Sequence, residues 1–247
     1  MDMTQVRDMV ISMASYQASL KSFVQERINE NIEIANNDPF LLIMATPIYL
    51  GTENCNPLQK EYRDLLEIAP GVPDNQYNGL RIGKSYPRIY GIEIVPYERP
   101  INGIFNQYSR LFRNGHLEYY EKQLPDPDVE WPKKPMPIYS YRIAVILLHF
   151  LIIAQRVYEI SEITDPITIN LLLGNAASSF ILYNPRSRYY GDERYIWDHK
   201  LLSVDMTVND IDKSNIIASD LMDRFFNAYG YEKNLHFNIA KELLIIR

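Results

Sequence analysis

The chain has a single cysteine, Cys55, so no disulfide can form within it. Its ten glycines are scattered and none falls in a GxGxxG or GxxxxGK[ST] pattern, which excludes nucleotide hydrolysis by a P-loop. The four histidines, His116, His149, His199 and His236, stand far apart, whereas zinc needs several Cys or His at ligand spacing; neither a metal nor a cofactor is expected. Positive charge is also short, with 25 Lys and Arg against 31 Asp and Glu and a net charge of -6. The whole-molecule field therefore repels phosphate backbones, and a local basic patch acts only within a screening length of about 8 to 10 Å.

Long apolar runs are missing too. The most apolar stretch, Ile143 to Ile153, holds eleven residues including His149, short of the roughly 20 that span a bilayer, and reads as a buried helix. The opening MDMTQVRDMVISMASY lacks the basic start and unbroken apolar core of a signal peptide. A cytoplasmic protein without membrane contact is expected.

What is present is the material of a large core: 247 residues, 47% apolar and 12% aromatic, with 19 tyrosines. Apolar residues at 3/4 spacing predict a helix from Thr4 to about Ala35, stopped by Asn36-Asn37-Asp38-Pro39. Phe40 to Leu50 reads as the first core strand, with Pro47 marking an end to pairing or an edge. Leu58 to Ile68 is helical. Leu80 to Ile82 and Ile89 to Val95 are extended, separated by Lys84-Ser85-Tyr86-Pro87.

The clearest local signal is Tyr108 to Leu124, a β-hairpin predicted to turn through a type I′ Asn114-Gly115. Five prolines make Pro125 to Pro137 an extended connection. Beyond it follow a buried helix from Ile138 to about Ser161 and strands at Ile167 to Leu173, Ser179 to Tyr183 and Leu201 to Val208. A helix from Ile216 to Tyr229 ends at Gly230. The expected class is α+β, with a mixed, largely antiparallel sheet, a long N-terminal helix, a buried central helix and a C-terminal helix. The division is 1–124, a connection at 125–137, and 138–247, either as two apposed halves or as one domain.

Candidates for chemistry are few. Cys55 sits in a polar loop beside Glu53, an acidic neighbour that raises a thiol pKa and argues against a nucleophile. The acidic groups Asp126 with Asp128, Asp192 with Glu193, and Asp205 with Asp210 and Asp212 suit solvated surface or helix capping better than metal binding. The richest surface is 184–197, where Arg186, Arg188 and Arg194 alternate with Tyr189, Tyr190, Tyr195 and Trp197. This mix serves a protein partner, a single-stranded nucleic acid or a nucleotide, and equally a loop whose aromatics cover the edge of the core.

The segments FVQERINENI with FLLIMATPIYL, RLFRNGHLEYY, YRIAVILLHFLIIAQRVYEI and DLMDRFFNAYGYE, in that order, span most of the chain. Together they resemble the C-terminal region of bacterial proteins whose N-terminal half is a Schlafen-like, AlbA-type DNA-binding domain. No counterpart of that AlbA-type half lies in this sequence. The resemblance implies an accessory part of a regulatory or phage-defence assembly, with any nuclease chemistry on another region or chain.

The leading expectation is a noncatalytic interaction or ligand-sensing module whose partner is another protein chain or a second copy. The alternative is a nucleic-acid-binding or metal-dependent nuclease component using 184–197 with Asp192, Glu193 or Asp205. A small-molecule hydrolase ranks third, since no nucleophile and base pair can be named for it.

Overall fold

The computed structural model describes residues 3–50, 53–67, 83–96, 107–122, 136–182, 196–238 and 240–244. In chain order the elements are α1 (Met3–Ala35), β1 (Phe40–Pro47), α2 (Lys60–Glu67), β2 (Gly83–Arg88), β3 (Gly91–Pro96), β4 (Gln107–Phe112) and β5 (Leu117–Lys122). They continue with β6 (Met136–Tyr139), α3 (Ser140–Ile160), β7 (Ile167–Gly174), β8 (Ser179–Leu182), β9 (Leu201–Val208) and α4 (Ser214–Ala228). The class is α+β, with long N-terminal, buried central and C-terminal helices as expected.

Seven strands form an antiparallel sheet in the order β2-β3-β4-β5-β1-β7-β9. β1 lies near its centre, paired to β5 on one side and β7 on the other, so strands from both ends of the chain share one sheet. An unbroken apolar run suits that position because both faces of β1 are buried. Its alternate residues divide between two cores. Leu41, Ile43 and Ala45 face the cluster built on α3 and α4, whereas Phe40, Leu42 and Met44 pack with Ile28 and Ala35 of α1. The sheet is thus sandwiched, with α3 and α4 on one face and α1 on the other.

Several expectations are corrected. Pro47 ends the pairing of β1, opposite Ile167, but β1 is central rather than an edge. Lys84 to Pro87 lies within β2 instead of separating strands; among the described residues β2 pairs only with β3, and such an edge position tolerates Pro87. Ile138 and Tyr139 belong to β6, which pairs parallel with β8 in a separate two-stranded sheet, so α3 starts only at Ser140.

The hairpin of β4 and β5 is present, with Leu111 opposite Leu117, but its turn is not type I′. Of Asn114 and Gly115, only Gly115 has positive φ, at 83°. The Gly115 N–H donates to the Phe112 carbonyl at 3.0 Å, and Phe112 N–H donates to the His116 carbonyl at 2.8 Å. This is the three-residue loop in which a left-handed glycine forms a bulge. Asn114 uses its side chain instead, its Oδ1 accepting the His116 N–H at 3.1 Å. The expected positions 78–82, 123–135 and 183 lie outside the described residues.

α3 reaches 21 residues and is the one described helix long and apolar enough to cross a membrane. Its apolar window is 72% buried among protein side chains, so its hydrophobic surface is spent on the core.

Candidate functional site

Of the seven aromatic and basic residues singled out in 184–197, Arg186, Arg188, Tyr189, Tyr190, Arg194 and Tyr195 lie outside the described residues. Trp197 is placed. Its backbone bridges Ser179, donating to the Ser179 carbonyl at 2.8 Å, and its half-buried ring packs on the main core with its centroid 6.1 Å from that of Tyr229. Asp192 and Glu193 also fall outside. Asp205 lies in β9, apart in role from Asp210, whose Oδ1 accepts the Asp212 N–H at 2.8 Å in the turn before α4. Among the described residues no three His, Cys, Asp or Glu side chains cluster as metal ligands.

Cys55 is held against the hairpin, its Sγ 3.2 Å from the Phe112 carbonyl oxygen. Burial pushes its thiol pKa up to about 11, with Glu53 a smaller contribution in the same direction. The thiolate needed for nucleophilic attack is scarce at neutral pH.

Two polar constellations emerge on the α1 side of the sheet. The first is a buried ionic cluster. Arg27 of α1 grips Glu118 of β5 with two hydrogen bonds, and Arg110 of β4 reaches Glu30, Glu93 and Glu118. Arg88 adds a bond of 2.7 Å to Glu93. Three guanidinium groups thus balance three carboxylates; Arg27, Arg110, Glu93 and Glu118 lie largely out of water, with the exposed Arg88 and Glu30 at the rim.

His116 extends the cluster, its Nε2 3.3 Å from Glu118 Oε2 and its Nδ1 2.9 Å from the Thr46 hydroxyl. Burial lowers the His116 pKa, partly opposed by Glu118, so the ring is neutral. One tautomer then satisfies both neighbours: Nε2–H donates to Glu118, and Nδ1 accepts from Thr46. The Thr-His-Glu order resembles an activated hydroxyl, yet all three residues are fully buried. No substrate reaches them, and the cluster fastens α1 to the sheet.

The second constellation is open. The Met13 to Gln25 part of α1 passes over β7 and β9 and leaves a cleft of about 780 Å³, within the size range of small-molecule sites. Antiparallel pairing builds its floor. Asn170 stands opposite Asp205 and Thr168 opposite Thr207, all four lining the cleft, with the threonine hydroxyls 3.2 Å apart. Tyr16 of α1 meets Tyr49 edge-to-face at 4.9 Å across one end. Met13, Leu20 and Val24 supply apolar wall, and Lys21 adds one positive charge.

Asn170 is the unusual member. It is only 7% exposed, and its Oδ1 has no hydrogen-bond partner. A buried amide oxygen left unpaired costs about 1 to 3 kcal/mol, a cost that a donor reaching it from water or from a ligand in the cleft would remove. The sequence signal for this site is a pair of polar residues at alternate positions of an otherwise apolar strand, Thr168 and Asn170 in ITINLLLG. That pattern directs both side chains to one face of the sheet.

No family model, curated protein or solved structure matches the chain. The cleft and its unpaired amide therefore carry the functional reading.

Proposed function

We propose that this protein is a noncatalytic ligand-sensing module that binds a small molecule between α1 and the β7-β9 face. The observation that carries this reading is the buried, unpartnered Asn170 Oδ1 on the floor of a ligand-sized cleft. The wall formed by α1 favours a sensing role, because a ligand held between helix and sheet ties the two together. The resemblance to the C-terminal region of Schlafen-like, AlbA-type bacterial proteins supports an accessory place in a regulatory or defence assembly, completed by another protein chain or a second copy.

A thermal-shift screen of metabolites against wild type and Gln17→Trp tests the site. Gln17 is exposed on the cleft wall, so the indole fills the cleft without disturbing the core. A ligand present at 100 times its dissociation constant stabilises the folded state by about 2.7 kcal/mol, a shift of several degrees that Gln17→Trp should abolish. Equal stabilisation of both proteins, or none by any compound, refutes the assignment.

A further inference from the structure

We infer that the ligand of this cleft is a nucleotide whose base carries an exocyclic amino group, read by Asn170 and Asp205. The inference rests on the cleft being a binding site and adds the chemistry of its occupant.

The Asn170 amide presents an unpaired acceptor, its Oδ1, beside the Nδ2 donor of the same group. An acceptor and a donor side by side on one amide match an N–H beside a ring nitrogen, the edge by which asparagine reads adenine. Directly across the ladder, the Asp205 carboxylate lines the same floor and enters no ion pair among the described residues. The nearby Arg224 guanidinium donates to the Asp205 backbone carbonyl instead. Two acceptors on facing positions of neighbouring strands suit an amino group that donates twice.

Charge decides between kinds of donor. A simple alkylammonium ligand calls for a net negative site, but this cleft holds one acid, Asp205, and one base, Lys21. The neutral balance fits an uncharged amino-bearing ring at the floor and an anionic group near Lys21. The volume of about 780 Å³ exceeds the need of a free amino acid and accommodates base, sugar and phosphate. Met13, Tyr16 and Leu20 on the helix and Tyr49 on the sheet side offer flat and polarizable surface for a heterocycle.

The test is isothermal titration of the full chain with AMP, IMP, CMP and UMP, pairs that differ by replacing the amino group with oxygen. AMP and CMP should bind at least about tenfold tighter than IMP and UMP. Asn170→Leu should remove that preference, and Asp205→Asn, at an exposed position, should weaken AMP while leaving the fold intact by circular dichroism. Lys21→Ala should weaken AMP but not adenosine. Equal binding of all four nucleotides, or AMP binding indifferent to both floor variants, overturns the assignment. Binding of alkylamines or amino acids instead, still blocked by Gln17→Trp, overturns the nucleotide and leaves the cleft as a site. No ligand in any panel overturns both.

Discussion

Arg27 of α1 and Glu118 of β5 lie 91 positions apart and meet in a two-point ion pair, Nε to Oε2 at 2.9 Å and Nη2 to Oε1 at 2.8 Å, with side-chain exposures of 7% and 0%. Arg27 also stands over the Phe112 ring, 5.0 Å from its centroid. Removing one partner takes from the other its two-point contact, leaving Glu118 only Arg110 and His116, or Arg27 only Glu30, to offset a buried charge. Arg27→Met should therefore destabilise the protein by about 3 to 5 kcal/mol in urea unfolding, and Arg27→Met/Glu118→Leu should recover part of that loss. A double variant as unstable as the sum of the singles contradicts the pairing.

Acid should weaken the fold in two overlapping stages. Burial disfavours ionised Glu118, but hydrogen bonds from His116 and Arg27 outweigh it and bring its pKa down to about 2. A carboxylate depressed in the folded state stabilises above its unfolded value near 4.5, and that contribution is lost as pH falls toward 2. His236 acts at higher pH, since burial alone lowers its pKa from 6.5 to about 3. The unfolded ring takes up a proton near 6.5 while the folded one resists, so stability falls from there downward. His236→Phe should flatten the limb above pH 4.5, out of a full contribution on the order of 4 kcal/mol. An unchanged slope of unfolding free energy against pH between 6.5 and 4.5 rules this out.

Phe40 lies opposite Gly174 across the β1-β7 ladder, and its ring occupies the space a side chain at 174 would need. A Cβ there would stand 1.9 Å from Phe40 Cε1 and 2.1 Å from Cζ. The ring is fully buried and packed near Tyr120, with centroids 5.6 Å apart, so it cannot swing away freely. Gly174→Ala should cost about 1 to 3 kcal/mol through overpacking, and Phe40→Leu in the same chain should lessen that cost. A double-mutant cycle with no coupling would mean the strand shifts instead.

Apolar patterning made the core legible: the unbroken run Phe40 to Ala45 marks a strand buried on both faces, and Ile217, Leu221 and Phe225 at helical spacing mark the inner face of α4. Local chemistry also located the hairpin at Gly115, while the type of turn depended on whether Asn114 used its backbone or its side chain. The cleft was not legible in the same way. Asn170 and Asp205 become neighbours only through the register of β7 with β9, which no local pattern encodes. Arg27 with Glu118 likewise reads as two surface charges until α1 crosses the sheet.

The two halves of α1 are held by different means, and amide exchange should separate them. Between 27 and 35, Arg27, Ile28, Asn31 and Ala35 are buried, and the ionic cluster ties this half to the sheet. Between 12 and 19 every residue is exposed, and the Tyr16 ring meets Tyr49, two residues past the end of β1, beside the cleft. Few buried contacts mean a low free energy of local opening, so amides of 12–19 should exchange at least about tenfold faster than those of 27–35. Tyr16→Ala should speed exchange in the first half alone, whereas Arg27→Met should speed both, because losing the anchor frees everything hung from it. Uniform protection along the helix would show that α1 moves as one rod, and the cleft wall would then be fixed by the ionic cluster rather than free to close on a ligand.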